Sequence, residues 1–332
     1  MSGKGYAMLN FVSTPIEVLI VMLLLGVVFV NGWTDAPNAI ATGCITKSLS
    51  FSRCALLCGV FNLIGVALSP IFAEGVSENV FSLVGNKSTQ ESTTIVIATL
   101  ITTILFGVIT WLFGMPSSES HGMLCGLIGA NAFFGGSHLW SQAGNLLLYL
   151  FLSLLLSLFI SLFVAKLFVK KAYLGKTGAV VCLCATSLMH GSQDGQKFIG
   201  IFKAFVSKID TSPSFFVNLS VIISVGVIML LGSLLGGKRI IKTYKATSNE
   251  ASISYFLSSD LGTIVTILLC SLLGMPISTG IVKLFSLVGA SLGFKKRVNK
   301  KVTITTLIVA LATFPICFIM GYGLAFALNK FF

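Results

Sequence analysis

A polar decapeptide containing glycine or proline, residues that disrupt helices, lies inside an apolar part of the chain and recurs once. The first copy runs from Asn31 to Ile40, and the second, from His190 to Ile199, begins 159 residues later. Asp35 and Asp194 occupy the same place in the two copies. In a lipid bilayer, backbone groups without internal partners are tolerated only where protein or a water-filled cavity supplies them. The pattern therefore predicts two interrupted membrane helices that form one interior site.

Composition supports a membrane setting. The 332-residue chain is 55% apolar and 10% charged, and its mean hydropathy is +0.98. Soluble domains carry about 25% charged residues, so the chain is predicted to be an all-α polytopic membrane protein. We predict about ten transmembrane spans from the apolar segments. They are 15–45 (interrupted at 31–38), 51–72, 93–113, 116–135 (interrupted at its start), 143–165, 178–206 (interrupted at 190–197), 214–235, 255–273, 276–293 and 302–328.

The net charge of +12 comes mainly from lysines and arginines in short loops, a pattern that indicates topology rather than a nucleic-acid partner. Four loops, 46–53, 166–176, 236–250 and 295–301, hold most of them and are expected on the cytoplasmic side. Both termini, and the polar insert 73–92, are then expected outside. The eight cysteines lie mostly in apolar segments, where they act as small hydrophobic residues and predict neither disulfides nor a metal site.

A second repeated motif extends the duplication to the whole chain. Gly114 to Ala130 aligns without gaps on Gly274 to Ala290, and eight of the 17 positions are identical. We therefore predict a first repeat at 1–170 and a second at 171–332, with five spans each. Because five is odd, the second repeat enters the membrane inverted. Inverted repeats with broken or re-entrant helices are typical of secondary transporters that bind their substrate midway across the bilayer.

Each copy of the second motif begins Gly-Met-Pro and continues with hydroxyl residues, as at the start of a helix. Proline is tolerated in the first helical turn, and serine or threonine caps the free amides. A helix that begins inside the membrane presents N–H groups and a positive dipole end to an oxyanion. The predicted oxyanion ligands are Ser117, Ser118, Ser120, Ser278 and Thr279. The alternative is that these hydroxyls only cap a short helix.

The two aspartates need partners, because a carboxylate in the hydrocarbon region costs about 2.5–3.5 kcal/mol or more. They either bind a co-transported cation or proton, or accept hydrogen bonds from a protonated oxyanion. The second role favours phosphate over sulfate, which carries no acidic proton at neutral pH. Lys197 either supplies positive charge to the anion or tunes the proton affinity of Asp194. The alternative is that Lys197 and Asp194 form a purely structural ion pair. His121 and His190 are candidate proton carriers.

Two further charged residues are predicted to have structural roles. Asp260 is expected to cap the start of the eighth span. Lys283 is expected to snorkel or to pair with Glu119.

The motifs Asn31-Gly32-x-x-Asp35-x-x-Asn38-Ala39 and His190-Gly191-Ser192-x-Asp194-Gly195-Gln196-Lys197, with the two Gly-x-Pro-x-Ser segments, resemble the inorganic phosphate transporter family. The likeness covers most of the chain. It implies a secondary transporter of inverted repeats, frequently homodimeric, that moves phosphate with sodium or protons. Some bacterial members of the family are thought to carry a neutral metal–phosphate complex.

By this resemblance, the residues expected to hold phosphate or the coupling ion are Asp35, Asn38, Ser117, Ser118, Ser120, Asp194, Ser278 and Thr279. The predicted ion-coupling residues are Asn31, Asp35, His190, Asp194 and Lys197. The chain departs from the family at Gly280 and Ile281, where Thr-His usually follows. Lys197 resembles the proton-coupled bacterial branch.

These observations favour a phosphate symporter of the cytoplasmic membrane that works by alternating access. A sulfate or related oxyanion permease of the same fold, and a passive channel, are the alternatives. An enzyme is disfavoured, because the sequence contains no metal-ligand cluster and no nucleophile–base pair at a recognisable spacing. No cofactor is expected beyond the co-transported proton or sodium.

Overall fold

A computed structural model describes residues 14–84, 87–115, 118–136, 138–170, 175–206, 215–247 and 252–331. The described residues confirm the all-α prediction. Their twelve helices are α1 (Pro15–Ile45), α2 (Phe51–Phe72), α3 (Glu74–Ser82), α4 (Thr89–Leu112), α5 (Glu119–Phe133), α6 (Leu139–Lys170), α7 (Gly175–Val206), α8 (Phe215–Leu235), α9 (Lys238–Thr247), α10 (Ile253–Leu272), α11 (Thr279–Gly293) and α12 (Lys300–Leu328).

Local sequence explains where several helices begin. Thr14 and Glu17 form a capping box at the start of α1, and Ser88 and Glu91 form another at the start of α4. In each box, the hydroxyl and the carboxylate satisfy backbone N–H groups that the helix cannot pair. Ser252 caps α10 through the N–H of Tyr255. These polar residues therefore fix the helix starts at the ends of apolar segments.

Six helices among the described residues are long and apolar enough to cross a membrane, namely α1, α2, α4, α6, α10 and α12. The number becomes seven when α8 and α9, which meet at a 71° bend, are counted as one span. The predicted count of ten is not confirmed. Helices α5 and α11 have 15 residues each, or about 22 Å at 1.5 Å per residue, so neither is long enough to cross a core of about 30 Å alone.

The predicted interruptions at 31–38 and 190–197 are wrong, because α1 and α7 are continuous helices through both motifs. The glycines serve close packing instead. A Cβ on Gly32 would lie 2.4 Å from the carbonyl oxygen of Met229, and one on Gly191 would lie 2.2 Å from that of Asn62. The absence of these Cβ atoms lets α1 approach α8 and α7 approach α2. The polar side chains of the motifs are satisfied by one another rather than by unwound backbone.

The described helices of the first half recur in the same order and with similar lengths in the second half. The tight contacts recur as well. Gly129 of α5 abuts the carbonyl of Phe318 on α12, as Gly289 of α11 abuts that of Leu158 on α6. Helix α5 of the first half therefore packs on α12, the last helix of the second half, and α11 packs on α6, the last helix of the first half. The repeats 1–170 and 171–332, and the inverted orientation of the second, stay predictions.

Two segments predicted as polar loops contain helices. The insert 73–92 includes α3, and the loop 236–250 includes α9. Each of these helices holds a turn in the other half. Asn79 of α3 donates at 2.7 Å to the carbonyl of Gly274, in the turn before α11, and Thr243 of α9 donates at 2.7 Å to the carbonyl of Gly114, in the turn before α5. These two glycines adopt positive φ angles of +66° and +65°, which only glycine adopts readily. The starts of α5 and α11 are thus fixed by the opposite halves.

Candidate functional site

The carboxylates of Asp35 on α1 and Asp194 on α7 are joined by one amide. Asn31 Nδ2 donates to Asp35 Oδ2 at 3.0 Å and to Asp194 Oδ2 at 3.1 Å. The three side chains are 5% exposed or less. Asn31 lies one turn before Asp35 on the same helix, so the sequence itself places the two together, whereas Asp194 is brought in by the packing of α7 on α1. The meeting of two aspartates from different halves is the central feature of the site.

Lys197 supplies the positive charge at this meeting point. Its Nζ lies 2.6 Å from Asp194 Oδ1, 2.7 Å from Ser120 Oγ and 2.6 Å from the carbonyl oxygen of Ile277. The three oxygens match the three protons of an ammonium group. Ser120 is at the start of α5 and Ile277 precedes α11, so Lys197 connects both helix starts to Asp194.

Asn38 extends the network from Asp35 to the second half. Its Nδ2 donates to Asp35 Oδ1 at 3.1 Å and to Thr279 Oγ1 at 3.3 Å. Its Oδ1 accepts a hydrogen bond from the hydroxyl of Tyr244 on α9, which also donates to the carbonyl of Gly280 at 3.3 Å. Asn38 therefore lies between the aspartate site and the start of α11.

His190 contacts the other oxygen of the Asp194 carboxylate. Its Nε2 lies 3.1 Å from Asp194 Oδ2, and its Nδ1 is 3.0 Å from Asn62 Oδ1. Because an amide oxygen only accepts hydrogen bonds, the Nδ1 atom must carry the proton. Nε2 therefore bonds Asp194 only when it too is protonated, as an imidazolium, or when the carboxyl group of Asp194 carries the proton. His121, the other histidine that was proposed as a proton carrier, instead contacts Ser118 and stacks at 5.3 Å on Phe314.

The predicted helix-start serines are buried at the site. Ser118 accepts the N–H of His121 at 3.2 Å, and Ser278 accepts that of Ile281 at 3.4 Å. They are the caps of α5 and α11, in agreement with the capping prediction. Pro276 precedes its cap by two residues rather than occupying the first helical turn. Ser117, and the proline before it, lie outside the described residues.

Asp260 and Lys283 form a separate buried pair, so both predictions about them are wrong. Asp260 lies within α10, which is capped by Ser252, and its Oδ1 contacts Lys283 Nζ. Both side chains are fully buried. Thr42 Oγ1 donates to the same Asp260 oxygen at 2.9 Å, so the pair ties α10 and α11 to α1. Burial of an ammonium demands a nearby anion, and Glu119 lies elsewhere.

Four buried polar residues of the site were missed from the sequence. Gln193 holds the turn before α11 by donating to the carbonyl of Met275 at 2.7 Å. Tyr244 and Asn62 orient Asn38 and His190, as described above. Glu119 borders the aspartates at the start of α5 and has no hydrogen-bond partner among the described residues. Gln193 and Glu119 fall within the quoted motifs, so their polarity in apolar surroundings was an available signal. Asn62 gave the same signal within the predicted span 51–72, whereas Tyr244, in a predicted polar loop, gave none.

The arrangement has the chemistry of a cation or proton site beside an anion cradle. One ligand atom from each of Asp35, His190 and Asp194 lies within 4.8 Å of the others, and carboxylate oxygens are preferred ligands of hard cations. The capped starts of α5 and α11 lie against the same network through Ser120 and Thr279. Their N-terminal ends favour negative charge.

Comparison with known proteins agrees with the motifs. The family model described as the phosphate transporter family matches residues 31–181 and 168–321. A probable low-affinity inorganic phosphate transporter of Bacillus subtilis (strain 168) is 28% identical over 331 residues, covering 96% of this chain and 98% of that protein. A protein described in the same words from Mycobacterium bovis is 29% identical over 324 residues, covering 92% of this chain and 76% of its own.

A solved structure has the same fold. It is titled "The sodium-dependent phosphate transporter", and the two chains superpose with a TM-score of 0.77 over 96% of this chain and 100% of the other, at 18% identity. With its apolar helices, this chain is a multi-pass membrane protein rather than an enzyme. Since the family model matches both halves, the chain belongs to the phosphate transporter family.

Proposed function

We propose that this protein is a symporter that moves inorganic phosphate across the cytoplasmic membrane by alternating access, driven by a cation gradient. The observation that carries the proposal is the convergence of Asp35 and Asp194, one from each half, on the amide of Asn31. The helix starts that border this pair offer N–H groups and hydroxyls to phosphate. The proposed substrate ligands are Asp35, Asn38, Ser117, Ser118, Ser120, Asp194, Ser278 and Thr279.

Charge balance explains why phosphate needs a coupling cation here. Two carboxylates face the ammonium of Lys197, so before an anion enters the site is neutral when one further proton is held on His190 or on a carboxyl group, and negative without that proton. Phosphate adds at least one more negative charge. In a buried site, uncompensated charge is costly, so phosphate and positive charge must bind together. The proposed ion-coupling residues are Asn31, Asp35, His190, Asp194 and Lys197.

Lys197 favours protons over sodium as the coupling ion. Its ammonium lies among a carboxylate, a hydroxyl and a carbonyl oxygen, which is the kind of oxygen set that binds a hard cation. A fixed ammonium in that place leaves protons to be exchanged on the neighbouring carboxylates and on His190. The structural neighbour is titled as sodium-dependent, so sodium bound at Asp35 is the competing form of the proposal.

Alternating access is supported by how closely the network is packed. The cavity bordered by Asn31, Glu119, Ser120 and Lys197 has a volume of about 10 Å³. This volume is close to the lower limit for holding one water molecule. A phosphate ion therefore requires the starts of α5 and α11 to separate from α1 and α7. Helices α3 and α9, which hold those starts, would have to move with them.

Uptake of labelled phosphate into proteoliposomes tests the proposal. The sodium gradient, the proton gradient and divalent metal are varied separately, and competition with sulfate defines the cargo. Phosphate uptake that follows the proton gradient is expected. Uptake independent of every gradient would indicate a channel, sulfate preference would indicate the alternative cargo, and a requirement for divalent metal would indicate a metal–phosphate complex.

Substitution of the aspartates provides the matched test of the site. Asp35→Asn and Asp194→Asn are each expected to abolish uptake, because an amide binds neither a proton nor a cation as a carboxylate does. Asp194→Asn also leaves Lys197 without its anion, so folding is checked by gel filtration beside the double variant Asp194→Asn/Lys197→Met. Normal uptake by either single variant would refute the proposed site. The expected homodimer and the outside location of both termini stay predictions, to be tested by light scattering and by labelling of a cysteine introduced at each terminus.

A further inference from the structure

Glu119 is a buried acid that the proposed phosphate and coupling ligands do not include. It is the first residue of α5 and is 3% exposed, and both of its carboxyl oxygens lack a hydrogen-bond partner among the described residues. A Cβ on Gly107 of α4 would lie 3.3 Å from Glu119 Cδ. The carboxyl group is therefore packed between α4 and the aspartate network rather than directed to solvent.

One acceptor next to Glu119 also lacks a donor. Asn31 uses Nδ2 to bridge Asp35 and Asp194, and its Oδ1 is buried without a hydrogen-bond partner in the described part of the chain. Asn31 and Glu119 border the same small cavity. An ionised Glu119 would be a second unpaired acceptor there, whereas a protonated Glu119 has the hydrogen that Asn31 Oδ1 needs.

The charged groups around Glu119 favour the neutral form. Asp35 on α1 and Asp194 on α7 are within electrostatic range and repel a further negative charge. Lys197 faces the same cavity, but its Nζ is already bonded to Asp194, Ser120 and the Ile277 carbonyl. The positive end of α5 and the polar side chains of Thr34 and Asn31 on α1 favour the ionised form, but they offset only part of the cost of burying this carboxylate.

The remaining titratable groups do not neutralise Glu119. His190 of α7 faces Asp194, and His121 of α5 itself contacts Ser118. From α4 the facing residues are Gly107 and Thr103, and α12 presents Cys317 to α5 at Gly122. Among the described residues, no cation lies within 4.0 Å of the Glu119 carboxyl group.

We propose that Glu119 is a proton-binding residue of the transport cycle, which holds a proton and donates it in a hydrogen bond to Asn31 Oδ1, directly or through one water. This inference rests on the proposed symport. When the site opens, the O–H bond of Glu119 breaks and the proton passes to water on the side where phosphate is released. The carboxylate is reprotonated from water on the opposite side. Asn31 links these changes to Asp35 and Asp194, because the same amide bonds both aspartates.

Two readouts on Glu119→Gln test the proposal. The first is the infrared band of a protonated carboxylic acid in purified protein, identified by its shift in heavy water. The second is proton entry into proteoliposomes, recorded with a trapped pH dye during uptake of labelled phosphate. Glu119→Gln should lose the band and lower proton entry per phosphate at least tenfold. The control Glu91→Gln, at the exposed start of α4, should match the native protein in both.

The two readouts separate the possible failures. An unchanged band in Glu119→Gln would overturn the protonation of Glu119, whatever ion drives transport. Loss of the band with unchanged proton entry per phosphate would overturn its role in coupling. Phosphate uptake without proton entry in the native protein would instead refute the proton-driven form of the proposed function. If Glu119→Gln does not fold, Glu119→Asp replaces it, and a pH profile of uptake identical to the native one would overturn the proposal.

Discussion

Lys197 Nζ and Asp194 Oδ1 lie 2.6 Å apart on consecutive turns of α7, and neither side chain is more than 1% exposed. Such a pair forms inside apolar surroundings only because each ion lowers the cost of burying the other. From the sequence, a purely structural ion pair was the alternative to a role of these two residues in transport. The structure joins it to Ser120 and to the Ile277 carbonyl, so the ion pair is also part of the site.

Removing one partner of this pair should be costly. Lys197→Met leaves Asp194 buried with an uncompensated charge, and we expect the free energy of unfolding to fall by about 3–5 kcal/mol. Lys197→Met/Asp194→Asn should recover more than half of that loss without recovering uptake. Unfolding in detergent micelles measures both. Lys203→Met, near the end of the same helix, is the control, and a double variant no more stable than Lys197→Met would contradict the prediction.

The second buried pair should show the same coupling without affecting phosphate binding. Lys283→Met leaves the buried carboxylate of Asp260 without its cation, whereas Asp260→Asn/Lys283→Met removes both charges. We expect a coupling free energy of about 2 kcal/mol in the double-mutant cycle, and retained phosphate uptake in the double variant. Additive losses of stability would show that the two residues do not interact.

Helix packing at the motif glycines gives a prediction with an internal control. Gly191→Ala places a Cβ 2.2 Å from the Asn62 carbonyl oxygen, so α7 and α2 must move apart. We expect a loss of about 1–3 kcal/mol. Gly144→Ala on α6 meets nothing within 4 Å and should be neutral or stabilising by up to about 1 kcal/mol. Equal melting temperatures for the two variants would contradict the close contact.

Tyr244→Phe tests whether α9 contributes to phosphate binding through its contact with Asn38. The substitution removes the hydroxyl that donates to Asn38 Oδ1 and to the Gly280 carbonyl. A buried acceptor left without its donor costs about 1–3 kcal/mol, so we expect uptake at low phosphate concentration to fall about tenfold or more. The half-saturation concentration for phosphate measures the effect. Tyr322→Phe on the exposed face of α12 is the matched control, and a native half-saturation value for Tyr244→Phe would refute the role of α9.

Much of the site was predictable from motifs, because hydroxyl, amide and carboxyl groups in apolar segments must be buried where they can form hydrogen bonds with one another. Asn31 and Asp35, or Asp194 and Lys197, are three or four residues apart, so any helix puts them on one face. Ser118 and Ser278 were identified as caps for the same local reason. What failed was the inference from glycine and proline to broken helices, since a glycine inside a helix is equally required where another backbone approaches within a few ångströms.

The sequence by itself determined the membrane class, the two repeated motifs and the short spacing between their polar residues, because these follow from composition and from position in the chain. Only the tertiary structure decided which turns meet. Asp260 of α10 pairs with Lys283 of the next helix, whereas Tyr244 contacts Asn38, and Asn62 contacts His190, between helices that are distant in the chain. Such contacts depend on how closely the helices approach, and that distance is set by the packing of Gly32, Gly191 and their counterparts against carbonyl groups of the other half.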